Sequence, residues 1–270
     1  MRPTGRHVVS FVVAVAVSFG LCGSAMSMTA AEILKRVSGR YDKLMSSVRD
    51  MQIDQKMIIV QGGQAVTSTV KTMRKGEKYR VEMTSLDNAG GGQMPKMTTV
   101  VVFDGKETWT VSPFVGKRRV KQSNVKNATP RIKWSDKLKD RVRLVGKEKV
   151  GGREAWVIDV KQAGPDDESL PFSKVWVDVK SYQVLKGKLQ LMDKPAEMRF
   201  SDFRKVHGDS IMSFLQETFV GGVLFSKIII KSVKTNVGLS DDLFDPNKLE
   251  PARRMDMHEM QEMFKRFKGN

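Results

Sequence analysis

The sequence has few residues of the types that form disulfides, bind zinc or act as catalytic bases. Cysteine occurs once, at Cys22, and histidine three times, at His7, His207 and His258, in 270 residues. One cysteine excludes a disulfide framework within the chain, and a zinc site of the usual ligands is disfavoured. Serine, threonine and cysteine nucleophiles usually need a nearby base. We therefore predict a protein that is not an enzyme, with no catalytic residues, cofactor or metal.

Acidic and aromatic residues are also scarce. Lysine and arginine number 47 against 30 acidic residues, a formal net charge of +17, and aromatic residues make up 7% of the chain. The hydrophobic share of 40% is ordinary for a globular protein with a sizeable core, which excludes a disordered or fibrous chain. The excess of positive charge predicts an anionic partner.

The N-terminal segment has the pattern of a secretory signal peptide. Arg2 and Arg6 precede an apolar run at residues 8–21, which is short for a membrane-spanning helix. Small residues then favour cleavage after Ala25 or Ser27, preferably Ser27. The alternatives are an uncleaved anchor helix and a lipidated Cys22, although the bulky Leu21 disfavours lipidation. We predict export to the periplasm.

The positive charge belongs to the exported part of the chain. Removing residues 1–27 takes away Arg2 and Arg6 and no acidic residue, which leaves 45 basic and 30 acidic residues. Outside the cytoplasm the abundant anions are lipid headgroups, which attract lysine and arginine near a membrane. We therefore expect contact with an anionic membrane surface and no binding of nucleic acid.

A single helix is predicted at the start of the exported chain. Thr29 and Glu32 have the spacing of a capping box, and apolar residues then recur at helical intervals over Ala30–Ser47. Basic residues occupy the opposite face, so the helix is amphipathic and should lie on a larger apolar surface.

After the helix, the hydrophobic period changes to alternation, which indicates strands. Glycine-containing turns recur at roughly the spacing of a strand plus a turn, and no helical segment between them is long enough for a parallel crossover. Three strands are expected near residues 51–57, 66–70 and 79–83. Nine more are expected at residues 97–104, 107–112, 143–150, 154–161, 173–179, 184–192, 197–206, 211–220 and 224–233.

These patterns predict a mostly β fold with helices. The expected architecture is a curved antiparallel sheet or partial barrel, with helices over part of it. The expected divisions are a signal peptide at 1–27, one half-barrel domain at 28–252 and a Met-rich amphipathic helical tail at 253–270. The basic stretch 117–143 is interpreted as an insertion with a short helix near residues 135–141.

The tail offers one alternative chemistry. Met255, Met257, His258, Met260 and Met263 cluster there, and thioether ligands suit Cu(I) in exported proteins. Methionine also fills irregular apolar contacts and is used at surfaces that bind varied apolar partners. We favour that second interpretation.

Several phrases in the chain resemble the outer-membrane lipoprotein-sorting proteins, the LolA-like family. They are Val175-Trp176-Val177-Asp178, Leu185-Lys186-Gly187, the run from Phe200 to Gly208, and the run from Val237 to Pro246. Phe103-Asp104-Gly105 and Val150-Gly151-Gly152 begin comparable hairpins. The resemblance covers residues 31–249 and lies in the order and spacing of these phrases. The strong basic charge, the 117–143 stretch and the Met-rich tail depart from the family pattern.

The resemblance implies a curved antiparallel sheet that forms an open half-barrel, covered by the N-terminal helix and short lid helices. It also implies a periplasmic carrier that holds acyl chains in an apolar cavity and shuttles them toward the outer membrane. Its cargo would be an acylated lipoprotein or a lipid, received from an inner-membrane transporter and passed to an outer-membrane acceptor. A lipid-sensing regulatory protein of the same fold is the alternative. Six residues, whose alternation allows one shared face, are predicted to line the cavity: Val101, Phe103, Trp109, Trp156, Ile158 and Leu189. The alternative is a closed side-chain core at these positions.

The basic stretch supplies a second predicted site. Its residues are expected to meet anionic headgroups or an acidic partner. They are Lys117, Arg118, Arg119, Lys121, Lys137, Lys139, Arg141 and Arg143.

Overall fold

The computed structural model describes residues 28–61, 63–88, 97–120, 132, 134–162, 171–191, 193–250, 255–258 and 261. The predicted signal peptide, Cys22 and Lys121 lie outside these residues, as does most of the predicted tail. The division of the chain at residues 27 and 252 therefore stays a prediction.

Helix α1 spans Ala30–Ser47, as predicted from the sequence. The hydroxyl of Thr29 accepts the backbone N–H of Glu32 at 3.2 Å, and the Glu32 carboxylate accepts the backbone N–H of Thr29 at 2.8 Å. These reciprocal bonds satisfy two N–H groups that the first turn leaves without a helical partner. The hydrogen bonds that the backbone N–H and the hydroxyl of Thr29 donate to the Glu32 carboxylate also lower the pKa of Glu32. Ile33, Leu34 and Leu44 are buried on one side of the helix.

Strands make up most of the remaining described chain. Their bounds are β1 Asp50–Gln61, β2 Gln64–Lys75, β3 Lys78–Asn88, β4 Thr98–Phe103, β5 Thr108–Ser112, β6 Gly116–Val120, β7 Val142–Val150, β8 Arg153–Val160, β9 Lys174–Asp178, β10 Val184–Leu191, β11 Lys194–His207, β12 Ser210–Val220 and β13 Val223–Thr235. Short 3₁₀ helices occupy Asp136–Arg141, Asp241–Phe244 and Pro246–Lys248.

Within the described residues, the thirteen strands form one antiparallel sheet. Their order is β6-β5-β4-β3-β2-β1-β13-β12-β11-β10-β9-β8-β7, so the sheet is open, with β6 and β7 at its two edges. The mostly β, antiparallel and open architecture predicted from the sequence is confirmed. Twelve strands and the short helix near 135–141 were expected. β6 was not, because its sequence Gly-Lys-Arg-Arg-Val lacks alternating apolar residues.

The stretch predicted as an insertion connects the two edges of the sheet. It begins in β6, includes the 3₁₀ helix Asp136–Arg141, and ends in β7. Ile132 and Leu138 are buried in the same cluster as Ile33 and Leu34 of α1. The backbone N–H of Trp134 donates to the hydroxyl of Ser38 at 3.1 Å. Ile132, Trp134 and Leu138 of this stretch therefore pack beside α1.

The two faces of the sheet are covered by different segments. We call the face on which α1 packs the helix face and the other the reverse face. On the helix face of β7 to β11, α1 joins a buried cluster that includes Trp156, Ile158, Val175 and Val177. On the reverse face of β2 to β5, the C-terminal segment 239–249 covers a second cluster, which contains Met73, Val102, Val111 and Phe244.

A buried carboxylate directs the chain onto the reverse face. After β13, the carboxylate of Asp50 accepts the backbone N–H groups of Val237 at 2.8 Å and Gly238 at 3.1 Å. Gly238 has a φ of 77°, in the left-handed region where residues with a Cβ are strained. The Val237–Pro246 run, which carries part of the family resemblance, thus serves the packing of this segment.

Candidate functional site

Strand register identifies which side chains share the helix face. Directly opposed residues of neighbouring strands project to the same side of a sheet. One such row crosses six strands, and it is Arg118, Thr110, Val101, Val81, Thr72 and Ile53. Ile53 is buried in a cluster against which Met45 of α1 packs. The whole row therefore lies on the helix face.

A second row joins the two halves of that face. It contains Ile158, Val175, Gly187, Met198, Thr218, Ser226, Ile59 and Val66, from β8 through β13 to β1 and β2. Ile158 and Ile59 thus project to the same side of one continuous surface, although 99 residues separate them in sequence.

Five of the six predicted cavity residues lie on the helix face. Val101 is in the first row, and Phe103 follows two residues later on the same strand. Trp156 and Ile158 are 8% and 0% exposed, and Leu189 packs against their cluster. Around these last three residues the face is filled by α1 and forms part of a closed core. Their predicted contact with lipid stays untested.

Trp109 is the exception, because it lies on the reverse face. It pairs with Val102 and packs against the cluster beneath the C-terminal segment. The expectation that all six residues share one face is wrong for this residue. Alternation relates residues within one strand, but the loop between β4 and β5 determines which parity of β5 matches which parity of β4.

Beyond α1, the helix face carries apolar side chains that belong to none of the four buried clusters. We call this group the open apolar surface. It consists of Met57, Ile59, Val66, Val70, Val81, Met83, Val101 and Ile228. All are only partly buried, and Met83 is 37% exposed. A contiguous apolar surface of this kind is a candidate site of contact with an apolar ligand.

Charge is separated between the two faces of β1 to β6. Among the described side chains of these strands, the helix face has no carboxylate and two charged residues, Arg74 and Arg118. The carboxylates of Asp50, Asp54 and Glu82 all lie on the reverse face. The helix face is thus suited to an apolar ligand, because burying an unpaired carboxylate beside it would be costly.

A stacked aromatic pair lies beside Val81 and Val101 on the helix face. The rings of Tyr79 and Phe103 stack with their centroids 5.4 Å apart and an interplanar angle of 30°. Burial raises the pKa of the Tyr79 phenol. The tyrosine therefore stays neutral at physiological pH.

The family-like phrase Val175-Trp176-Val177-Asp178 ends in a structural turn. The buried Asp178 carboxylate accepts hydrogen bonds from the Arg153 guanidinium at 2.8 Å and from the Ser181 hydroxyl at 2.6 Å. Burial acts to raise the pKa of Asp178, but the bonds from Ser181 and Arg153 outweigh it and lower that pKa. The turn presents Tyr182, whose ring lies 5.4 Å from that of Trp156.

The predicted anionic-contact residues divide between the two edges of the sheet. On β6, Lys117 donates to the carbonyl of Leu249 and Arg119 pairs with Glu107, while Arg118 is exposed. At the opposite edge, beside β7, Arg141 donates to the carbonyl of Lys161 and Arg143 pairs with Asp159 at 3.2 Å. Lys137 and Lys139 are exposed on the 3₁₀ helix.

A cleft of about 510 Å³ lies on the reverse side, between the C-terminal segment and the β4–β5 hairpin. Its carboxylates are already engaged. Asp104 accepts the backbone N–H groups of Lys106 and Glu107, and Asp241 pairs with Lys75 and Lys78. The cleft is therefore a polar groove whose carboxylates serve contacts within the fold. Within the described part of the chain, His, Cys, Asp and Glu side chains form no group of three that could hold a metal.

Most of the open apolar surface was not identified from the sequence. Met57, Val70, Val81 and Met83 alternate as strand residues should, but alternation does not reveal which part of a face a helix covers. Ile59 lies in the run Ile58-Ile59-Val60, which is apolar at both parities. The signal that distinguishes these residues is their register with Val101 and Ile158.

Similar proteins were found by comparing structures. The chain superposes on a DUF1329 family protein from Desulfovibrio piger with a TM-score of 0.58 and 19% identity, over 83% of this chain and 100% of that one. It superposes on an outer membrane lipoprotein-sorting protein domain from Vibrio parahaemolyticus with a TM-score of 0.53 and 12% identity, over 79% of this chain and 98% of that one. The lipoprotein-sorting fold predicted from the order of motifs is confirmed.

Sequence comparison matched less than half of the chain. A family model described as "Uncharacterized protein" matches residues 129–251. Comparison with curated proteins found no match. The described helices include none that is long and apolar enough to cross a membrane.

Proposed function

We propose that this chain, which has the fold of the lipoprotein-sorting proteins, is a periplasmic carrier of acyl chains. The observation that carries the proposal is the open apolar surface on a face whose β1 to β6 portion has no carboxylate among its described side chains. The cargo is an acylated lipoprotein or a lipid, received from an inner-membrane transporter and passed to an outer-membrane acceptor. The N-terminal signal pattern supports export.

The proposed activity needs no catalytic group. Transfer of an acyl chain from water to an apolar surface contributes about 0.8 kcal/mol per buried CH₂. A carrier thus binds through area and shape, and releases its cargo when an acceptor offers a similar environment. Nδ1 of His207, one of the few histidines, lies 3.1 Å from the hydroxyl of Thr235 in a hairpin turn, away from the open apolar surface.

Adjacent isoleucines of β1 allow a matched test of the binding face. Ile59 lies on the open apolar surface, whereas Ile58 pairs with Lys227 and projects to the reverse face. Both are partly buried. We expect Ile59→Asp to weaken retention of an acylated peptide by at least about tenfold, because a carboxylate would have to be desolvated beside the chain. Ile58→Asp should retain the peptide.

Retention is measured by native mass spectrometry of the exported chain mixed with a palmitoylated peptide and with the same peptide lacking the acyl group. Thermal unfolding of both variants verifies that each remains folded. Equal retention by Ile59→Asp and the unchanged chain, or failure of the unchanged chain to distinguish the two peptides, would contradict the proposal.

We also propose that the exposed lysines of Asp136–Arg141 contact anionic membranes during loading or delivery. No ion pair joins Lys137 or Lys139 to another described residue. Near a membrane each contributes about 1 kcal/mol of attraction. The double variant Lys137→Glu/Lys139→Glu should therefore bind vesicles containing 30% phosphatidylglycerol roughly tenfold more weakly, as measured by co-sedimentation at about 0.1 M salt.

Lys71→Glu/Lys234→Glu provides the control. It changes the net charge equally at exposed positions on the reverse face of the sheet. This variant should bind the vesicles more strongly than Lys137→Glu/Lys139→Glu. Equal loss in both variants would attribute the binding to overall charge and reject a local contact surface.

A further inference from the structure

Arg118 lies at the end of the first row of paired residues on the helix face. It is opposite Thr110 of β5, which is opposite Val101 of β4. With neighbouring strands about 4.8 Å apart, its Cα lies about 10 Å from that of Val101 across the sheet. β6 is an edge strand, so this guanidinium stands at the border between the open apolar surface and solvent.

The other basic residues near this surface are engaged within the fold. Lys117 and Arg119 project to the reverse face, where they contact the carbonyl of Leu249 and the carboxylate of Glu107. Arg74 lies on the helix face, but its guanidinium donates to the carbonyl of Gly76 at 2.8 Å and to the hydroxyl of Tyr41 at 3.4 Å. No hydrogen bond or ion pair joins Arg118 to the other described residues.

We infer that Arg118 binds the anionic headgroup of a lipid whose acyl chains lie on the open apolar surface. The inference rests on the proposed carrier function and specifies its ligand as an anionic amphiphile. A guanidinium matches a phosphate group through two parallel hydrogen bonds and remains charged at all physiological pH values. Because the described helix-face side chains of β1 to β6 include no carboxylate, none of them competes for this arginine.

The geometry assigns each part of the ligand a place. The headgroup lies at the β6 edge, where Arg118 is exposed to solvent, and the acyl chain extends across Val101 and Val81 toward β1. Thr110 lies between Arg118 and Val101, and its hydroxyl donates a hydrogen bond to the carbonyl of Val100 at 3.3 Å. The ligand therefore meets either the methyl group of Thr110 or a hydroxyl whose hydrogen is already bonded. Such a ligand is bound at both its polar and its apolar end.

The test compares two lipids with the same acyl chains, phosphatidylglycerol and phosphatidylcholine. Native mass spectrometry of the full exported chain gives the ratio of the two bound lipids from an equimolar mixture. Both headgroups contain a phosphate, but the quaternary ammonium of phosphatidylcholine offsets its negative charge, whereas phosphatidylglycerol is net anionic. We therefore expect the unchanged protein to prefer phosphatidylglycerol by roughly tenfold. Arg118→Gln should reduce this preference to within about twofold while binding of phosphatidylcholine is retained. Arg119→Gln, the neighbouring residue on the reverse face, should keep the preference.

Each other outcome contradicts a specific claim. A preference that survives in Arg118→Gln, or that Arg119→Gln loses equally, overturns the role of Arg118 while leaving the carrier function intact. Absence of either lipid from the unchanged protein overturns the carrier function and this inference together. Loss of the preference on adding inorganic phosphate at the lipid concentration would assign Arg118 to a free-anion site and overturn its role in lipid selection.

Discussion

Replacing Phe244 by alanine is expected to lower the free energy of unfolding by about 3 to 5 kcal/mol. The Phe244 side chain is 1% exposed and packs with Met73, Val102 and Val111 on the reverse face. Truncation would remove its buried area and leave a cavity between the sheet and the C-terminal segment. Urea denaturation of the exported chain measures the loss, and Val223→Ala is the control, since Val223 is 70% exposed.

The same variant should loosen the C-terminal segment before the sheet. The segment is also held by polar contacts, among them Lys75 with Asp241 and Arg80 with the carbonyl of Leu243. These contacts are partly exposed and contribute little by themselves. Hydrogen exchange should therefore accelerate first at residues 239–249. A loss below about 1 kcal/mol, with unchanged exchange in this segment, would mean that Phe244 does not secure it.

Replacing Gly187 by alanine is expected to cost about 1 to 3 kcal/mol through overpacking. A Cβ at this position would lie 2.3 Å from a ring carbon of Phe172, which is 2% exposed. That ring packs edge-on against Phe200, with centroids 6.4 Å apart. The glycine thus allows Phe172 to lie directly on the sheet beneath α1. Its backbone is not in the left-handed region, so the cost arises from contact alone.

Gly39→Ala is the matched control, and we expect the opposite sign. Gly39 lies within α1, and a Cβ there would meet nothing within 4 Å. Alanine should stabilise the helix by about 0.8 to 1 kcal/mol, because glycine has the greater conformational freedom when unfolded. Adding Phe172→Leu to Gly187→Ala should restore part of the lost stability. Destabilisation of equal size by both glycine substitutions would reject the steric explanation.

Local chemistry explains why the elements could be predicted so closely. The Thr29–Glu32 capping box and the helical period define the N-terminal helix without reference to any other part of the chain. Alternation and glycine-containing turns define twelve strands in the same way. β6 was missed because Lys117, Arg118 and Arg119 occupy three of its five positions, and it is held as a strand by pairing with β5.

The sheet face on which a side chain lies, and whether α1 covers it, depend on how separate elements pair and pack. The register of the β4–β5 hairpin places Trp109 against the reverse face, and a shift by one residue would have reversed it. The position of α1 decides that Ile158 is a closed core residue while Ile59, in the same row, is left open. Neither outcome follows from the hydrophobicity of the residue concerned.

The sequence by itself determined the antiparallel β architecture, the capped helix, the surplus of positive charge and the resemblance to a lipoprotein-sorting fold, since these depend on composition and short-range order. Only the tertiary structure decided which half of the helix face is open and that Arg118 borders it. The physical reason is that long-range pairing places strands distant in sequence side by side, and packing of α1 then covers some of their side chains while leaving others available for a ligand.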